Sequence, residues 1–499
     1  MRALESKRIV VVDLGFGDAG KGTMTDWLVR KQGASAVVRF NGGAQAGHNV
    51  VTEDGRHHTF SQLGAGSFVP GVRTFLSKHV VFHPTALLVE AGHLARVGVP
   101  DALDRVVVSE DCLVTTPLHQ AATCIRELVR TQRHGSCGVG VGETMRDSIA
   151  SPHDAIRARD LRDPERLRRW LLRLQRDKRE ELHAELQALP SGDLADAQRD
   201  ALEDARVIEA WLACTREVLA HPIVQDDSLL HGILTGPEAV VFEGAQGVLL
   251  DEWRGFHPFT TWSTCTFDNA LALLAEHGSP FEPFRLGVLR SFATRHGAGP
   301  FPTESHDLPP ARTREHNDAG PWQGAFRVGA FDAVLSRYAI EACGGVDGLA
   351  LTHLDRFAGG EPWRFAGGYE VPSTFASMVK SDAGTAQVAG LKVGELRDLV
   401  HTERLGQTLF HARPVMDELA APDATPIVAK VEALLRAPVV LTSHGPTARD
   451  KRETSRLCMT MDNSFETGRG ASGGPGRVPP QRFEAKKQHM DRCTLRASR

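Results

Sequence analysis

No stretch of this 499-residue chain approaches the roughly 18 consecutive apolar residues that a membrane-spanning helix needs. The start, MRALESKRIVVVDLG, runs from a short charged stretch straight into an apolar strand, without the apolar h-region and small-residue cleavage site of a signal peptide. Eight cysteines, at 112, 124, 137, 214, 265, 343, 458 and 493, include no C-x-x-C pair, so neither a disulfide framework nor a zinc site is predicted. An excess of one charge is missing as well. Against 62 Asp+Glu stand 58 Lys+Arg, a formal net charge of −4, which gives no reason to expect nucleic acid or an anionic membrane as the main partner. No internal repeat is visible. These absences predict a cytoplasmic chain with reduced thiols, no nucleic-acid partner and no membrane partner.

What is present is ordinary globular composition, 41% hydrophobic and 24% charged. Strand and helix signals alternate, which predicts an α/β protein. Ile9–Val12 is a continuous β-branched run, as in a strand buried on both faces. A glycine-rich turn follows it, then a helical stretch around Met24–Arg30 and a second strand at Ala36–Phe40. Further strand signals fall at Ala239–Glu243, Arg285–Leu289, Gly348–Thr352 and Val439–Thr442. Residues 161–220, rich in Leu, Arg, Glu and Ala at near-helical spacing, predict two or three amphipathic helices forming a subdomain. From about Asn463 the periodicity fails and Gly, Pro, Arg and Lys dominate. The expected organisation is a catalytic domain over 1–462 and a basic, disordered tail over 463–499.

The first chemical feature is Gly15-Phe16-Gly17-Asp18-Ala19-Gly20-Lys21-Gly22-Thr23, between a strand and a helix. Its glycines let several N–H groups turn inward, the helix N-terminus adds partial positive charge, and Lys21 adds a full one. The spacing G-x-x-x-x-G-K matches a P-loop, except that Gly22 stands where Ser or Thr holds Mg²⁺. Asp18 is the oddity: a carboxylate in a phosphate cradle is repelled unless it binds Mg²⁺ or acts on a second substrate. Alone, this motif says only phosphate. The second feature, Val38-Arg39-Phe40-Asn41-Gly42-Gly43-Ala44-Gln45-Ala46-Gly47-His48-Asn49, also follows a strand. Its small residues admit a ligand close to the backbone, and His48 there has the chemistry of a general acid or oxyanion stabiliser. A lone histidine after a strand is, however, more often structural.

Together the two segments resemble the adenylosuccinate synthetase family, whose usual forms are GDEGKGK and VVRFxGGxNAGHTV. The resemblance continues in order. Phe242–Asp251 (FEGAQGVLLD) matches FEGAQGxxLD, and His257–Thr261 (HPFTT) resembles YPFVT. Thr294–Glu304 (TRHGAGPFPTE) is close to TRVGxGPFPTE, Thr352–Asp355 (THLD) to TKLD, and Ser443–Pro446 (SHGP) to SVGP. Seven blocks spread over roughly residues 9–450 make the resemblance very specific.

The resemblance implies a large, mostly parallel central sheet flanked by helices, with helical and small subdomains and a P-loop-like GTP site. It also implies a homodimer and a Mg²⁺-dependent reaction that phosphorylates the 6-oxygen of IMP with GTP, then displaces the phosphate with the amine of aspartate. Asp18 would then be the base at the purine N1 and a Mg²⁺ ligand, with the Gly47 carbonyl completing the metal shell. His48 would be the acid that assists γ-phosphoryl transfer. Gly17, Gly20, Lys21 and Gly22 would hold the GTP phosphates, while Asp355, Ser443 and Gly445 would meet the guanine. Gln45, Cys137, Gln246 and Thr261 would contact the acceptor nucleotide.

The departures are as informative. Ala19 replaces the usual Glu, Thr23 the usual Lys, and His353 the Lys of TKLD. The phosphate-gripping TTGRGIGPAY appears as Ser136–Met145 (SCGVGVGETM), which puts Cys137 for a threonine and adds the charge of Glu143. Arg146 is the nearest candidate for the arginine that the family sends across its dimer. The aspartate loop TTGRxRR is rewritten over Asp318–Gly329 as DAGPWQGAFRVG, leaving Arg327 with Trp322 and Gln323 as the expected amine-substrate residues. Arginine forks suit a dicarboxylate, and losing them weakens binding by roughly 1.5–3 kcal/mol per charged hydrogen bond. Three readings follow: the family's activation chemistry with a different acceptor or amine, ordinary adenylosuccinate synthesis, or a non-catalytic GTP-binding paralogue.

Overall fold

The computed structural model describes residues 4–131, 135–308, 322, 324–381 and 387–454. Gln323 and residues 318–321 of the rewritten 318–329 loop, together with the whole 463–499 tail, lie outside the described residues.

A ten-stranded sheet organises the chain. In chain order its strands are β1 (Arg8–Asp13), β2 (Ala36–Arg39), β3 (Arg73–Leu76), β4 (Val106–Ser109), β5 (Val224–Gln225), β6 (Val240–Glu243), β7 (Pro283–Arg290), β8 (Gly348–Thr352), β9 (Val439–Ser443) and β10 (Lys451–Glu453). Their spatial order is β10-β9-β8-β7-β1-β6-β2-β3-β4-β5. Every neighbouring pair runs parallel except β9–β10. The predicted strands and the predicted mostly parallel sheet are present.

Why the central strands are continuously apolar is visible in where their side chains go. Val10 and Val12 of β1 join one core together with Val240 and Phe242 of β6 and Leu349 and Leu351 of β8. Ile9 and Val11 point to the opposite core, with Val241, Leu286, Val288 and Ala350. Successive residues face opposite sides, so a strand covered on both faces has no room for polar alternation. One cover is helix α1 (Lys21–Gln32), whose Met24, Leu28 and Val29 pack on the second of these cores.

The stretch predicted to hold two or three helices carries four: Pro164–Glu181, His183–Ala188, Asp193–Glu203 and Arg206–Leu219. Their Leu167, Leu171, Leu202, Ile208 and Leu212 are buried together with Leu118 and Ile125 of helix Pro117–Val129. A five-stranded sheet, built on the pairing of Trp363–Glu370 with Arg413–Leu419, lies off the main one. Among the described residues no helix is long and apolar enough to cross a membrane.

Candidate active site

The motif segments follow the C-terminal ends of β1, β2, β6, β7, β8 and β9, where ligands bind in open parallel sheets. They wall a cavity of about 1660 Å³, larger than the roughly 300–1,000 Å³ of a single small-molecule pocket.

Asp13, the last residue of β1, shapes the glycine turn. Its buried carboxylate accepts from the N–H of Gly15 (2.8 Å) and of Ala19 (2.9 Å), and pairs with Lys21 Nζ at 3.1 Å. Lys21 Nζ also donates to the Gln246 carbonyl at 2.7 Å. Gly17 and Gly20 take the positive φ values (96° and 89°) that the turn needs. Gly247 presses against this turn so closely that a β-carbon would sit 2.2 Å from the Gly15 carbonyl oxygen. Gly22 has an equally specific reason to be glycine, because a β-carbon there would lie 2.7 Å from His48 Cβ. The P-loop hydroxyl is missing because the second motif occupies its space.

Asp18 sits at φ 61° with its carbonyl accepting from Arg290 Nε at 2.6 Å and its carboxylate 3.3 Å from His296 Nε2. Burial opposes ionisation, but His296, Arg290 and Lys21 outweigh it and hold Asp18 below the usual carboxylate range. His48, on the hairpin His48–Val51/His57–Phe60, places Nδ1 2.7 Å from Glu243 Oε1. Burial pushes the imidazole's pKa down despite the opposing pull of Glu243, while Glu243, despite burial, is kept low by His48. Burial thus favours a neutral histidine beside an anionic glutamate, and the 2.7 Å contact places the ring proton on Nδ1, facing the carboxylate.

Gln45 lines the cavity with both amide atoms buried and unpartnered among the described residues, an arrangement that costs stability unless a ligand pairs with them. Gln246, at φ 63°, donates from Nε2 to Thr261 Oγ1 at 2.8 Å. The turn that leads to Thr261 is tied by Asp251, which accepts from the N–H groups of Trp253 and Arg254 at 2.7 and 2.9 Å. Cys137 and Gly47 also line the cavity, as do Asp355, Ser443 and Gly445. Ser443 Oγ donates to the Gly445 carbonyl at 3.1 Å, and Lys451 Nζ donates to the same carbonyl at 2.8 Å. Thr23 Oγ1, on the first turn of α1, donates to the Pro446 carbonyl at 2.8 Å. Burial drives the His353 imidazole, in place of the family's Lys, well below its ordinary pKa.

Of the expected amine-substrate residues, Arg327 and Trp322 are not among the described residues lining this cavity, and Gln323 lies outside the described residues. Arg327 forks onto Glu304 (2.9 and 2.5 Å) and donates to the carbonyls of Gly297 and Gly299. Trp322 lies over Gly138, where a β-carbon would meet its ring at 3.0 Å. Arg146, the candidate for a cross-dimer arginine, pairs within its own chain with Glu181 at 2.7 Å. It belongs to a network in which Arg126 and Lys178 also hold Glu143 and Glu181.

Asp13, Glu243 and His296 are functional candidates that sequence reasoning passed over. For Asp13 and Glu243 a signal existed. Each is a carboxylate that closes an apolar run within its strand, and such a group is buried only with a partner.

A phosphate-cradling turn on a parallel sheet, an adjacent acid–base constellation and a double-sized cavity define a nucleotide-dependent α/β enzyme. The chain belongs to the adenylosuccinate synthetase family, whose family model matches residues 10–452; these are GTP-dependent C–N bond-forming ligases of purine biosynthesis. It is 31% identical over 457 residues to adenylosuccinate synthetase from Neisseria gonorrhoeae (strain ATCC 700825 / FA 1090), covering 90% of this chain and 98% of that one. To the enzyme of Anaeromyxobacter sp. (strain Fw109-5) it is 33% identical over 441 residues, covering 88% and 96%. Among solved structures, the fully ligated Plasmodium falciparum adenylosuccinate synthetase aligns with a TM-score of 0.67 at 20% identity, over 90% of this chain and all of that one. A cyanophage S-2L succinoaminodeoxyadenylate synthetase bound to dGMP and dATP aligns at 0.54 and 17%, over 90% and 95%.

Proposed function

We propose that this ligase uses GTP to phosphorylate the oxo group of an IMP-like purine nucleotide and displaces the phosphate with an amine less anionic than aspartate. The observation that carries the activation half is the pairing of an anionic Asp18 with a neutral, Glu243-bound His48 on one cavity wall. An amide-like oxygen is a poor nucleophile until the neighbouring ring nitrogen loses its proton, and Asp18 is the carboxylate held ready to take it. His48 Nδ1 is committed to Glu243, so Nε2 is the atom that exchanges protons. A triphosphate beside it raises the imidazole's proton affinity, and Glu243 sustains the cation that then assists phosphoryl transfer.

Gly17, Gly20, Lys21 and Gly22 hold the GTP phosphates in this reading, with Asp355, Ser443 and Gly445 at the guanine and Gln45, Cys137, Gln246 and Thr261 on the acceptor. Asp18 and the Gly47 carbonyl fit a hard divalent cation, because both offer oxygen and Asp18 is anionic. Bound Mg²⁺ would neutralise phosphate charge there. The amine half rests on Arg327, whose four donor contacts with Glu304, Gly297 and Gly299 leave it engaged inside the protein rather than reaching for a dicarboxylate. We further take 1–462 as the catalytic domain and the assembly as a homodimer.

The test is phosphate release from purified protein with Mg²⁺–GTP and IMP, run with L-aspartate and with a panel of monocarboxylate and neutral amines, beside an Asp18→Ala control. Release that needs a panel amine and vanishes in the control supports the proposal. Efficient aspartate-dependent release assigns ordinary adenylosuccinate synthesis instead. GTP binding without release across acceptors and amines leaves the non-catalytic reading.

A further inference from the structure

We infer that His296 is a positioning residue for the Asp18 carboxylate, an assignment that rests on the base role proposed above. His296 ends the strand Ala293–His296, where it pairs across to Phe326, their rings 4.9 Å apart. Its Nε2 lies 3.3 Å from Asp18 Oδ2. Its Nδ1 is buried and has no hydrogen-bond partner among the described residues. A proton on that atom would be an orphaned buried donor, a costly arrangement. The ring proton therefore belongs on Nε2, from which it donates to the carboxylate.

Asp18 has particular need of such a partner. It stands in the left-handed region, at φ 61°, on a glycine-flanked turn. Arg290, at the end of β7, hydrogen-bonds its peptide carbonyl, at 2.6 Å, and acts on the carboxylate through its charge alone. His296, six residues further along the same segment, holds the side chain. Backbone and carboxylate are thus anchored separately from one stretch of chain, and the second carboxylate oxygen is uncommitted to His296. The histidine is this chain's own departure, since the family motif TRVGxGPFPTE has valine at that position. Valine offers no donor. In this chain the direction of the carboxylate is set before an acceptor arrives, which is where positioning contributes to rate.

The test compares His296→Val, which restores the family residue, with His296→Gln, which keeps an N–H donor, in the full-length enzyme with Mg²⁺–GTP, IMP and the same amines as above. Expected is a fall in kcat of about tenfold to a hundredfold for His296→Val, with KM for GTP changed by less than about twofold, and recovery of most of kcat in His296→Gln. A His296→Val enzyme with wild-type kcat overturns the inference. A second measurement needs no turnover: thermal melting of the wild type, Asp18→Ala, His296→Val and the double variant. Because both single changes delete one contact, their melting shifts should fail to sum to that of the double variant. Additive shifts overturn the inference even if no acceptor supports turnover, whereas absence of turnover with non-additive shifts counts against the proposed function alone.

Discussion

His48 Nδ1 and Glu243 Oε1 meet at 2.7 Å across 195 residues of sequence, and the second glutamate oxygen accepts from the Ala65 N–H at 3.0 Å. Both side chains are buried, so the pair fixes the ring's orientation as well as its proton. A strand end from the centre of the sheet thereby steers a histidine on a hairpin outside it.

Glu243→Gln should lower kcat by roughly 10²-fold while leaving GTP affinity near wild type. The glutamate raises the imidazole's pKa against burial. Without its charge the acid form of His48 is lost at lower pH, and the high-pH limb of the kcat profile should move to lower pH. A profile with an unmoved limb would remove Glu243 from the chemistry.

Replacing Gly22 by Ser, the residue that a conventional phosphate loop carries, should damage this protein. The new β-carbon would sit 2.7 Å from His48 Cβ, and overpacking of that kind costs about 1–3 kcal/mol. Calorimetry should show a lower melting temperature, and turnover should fall with it because His48 is displaced. An active, fully stable Gly22→Ser enzyme would contradict the packing argument.

Asp13→Asn should strip Lys21 of its buried counter-charge and loosen the turn tied through Gly15 and Ala19. Removing one partner of a buried pair costs about 3–5 kcal/mol. Denaturant unfolding should register the loss, and GTP titration should show affinity at least about tenfold weaker.

His83 gives a pH test away from the site. Its Nδ1 accepts from the Ala86 N–H at the start of helix Pro84–Arg96, and burial pushes its pKa down to about 4. The unfolded chain binds the proton near pH 6.5, so the unfolded state is the better proton binder between the two values. Stability is full above about pH 6.5, falls as pH drops, and the loss is complete below about pH 4. The wild-type minus His83→Asn difference in unfolding free energy should follow that sign. A difference independent of pH would refute it.

How much of this could be read from the sequence depends on the range of the interaction. Ile9–Val12 announces a buried strand because both cores demand apolar side chains from it, and a run of four letters carries that demand. The residues quoted for the phosphate, base and acceptor contacts all line one cavity, because all but Cys137 follow strands that end at the same sheet edge. Arg327 was different. The sequence supplies an arginine at the right place but not the Glu304 that holds it across 23 residues. Likewise Glu143 reads as an isolated charge, yet Lys178 meets it at 3.0 Å from a helix 35 residues away. Pairings of that kind depend on the orientation of whole elements, and composition carries no record of them.

The hydroxyl of Thr23 on the Pro446 carbonyl has a consequence for what the enzyme can accept. It fastens the helix that begins at the phosphate turn to the loop that carries Gly445. The bond is exposed and worth about 0.5–1.5 kcal/mol, enough to bias the spacing of the phosphate turn and the Gly445 loop and too little to lock it. The two segments therefore start out tethered, and a ligand that touches both can shift them at small cost. The tether's donor is one threonine, at a position where the family motif carries a lysine.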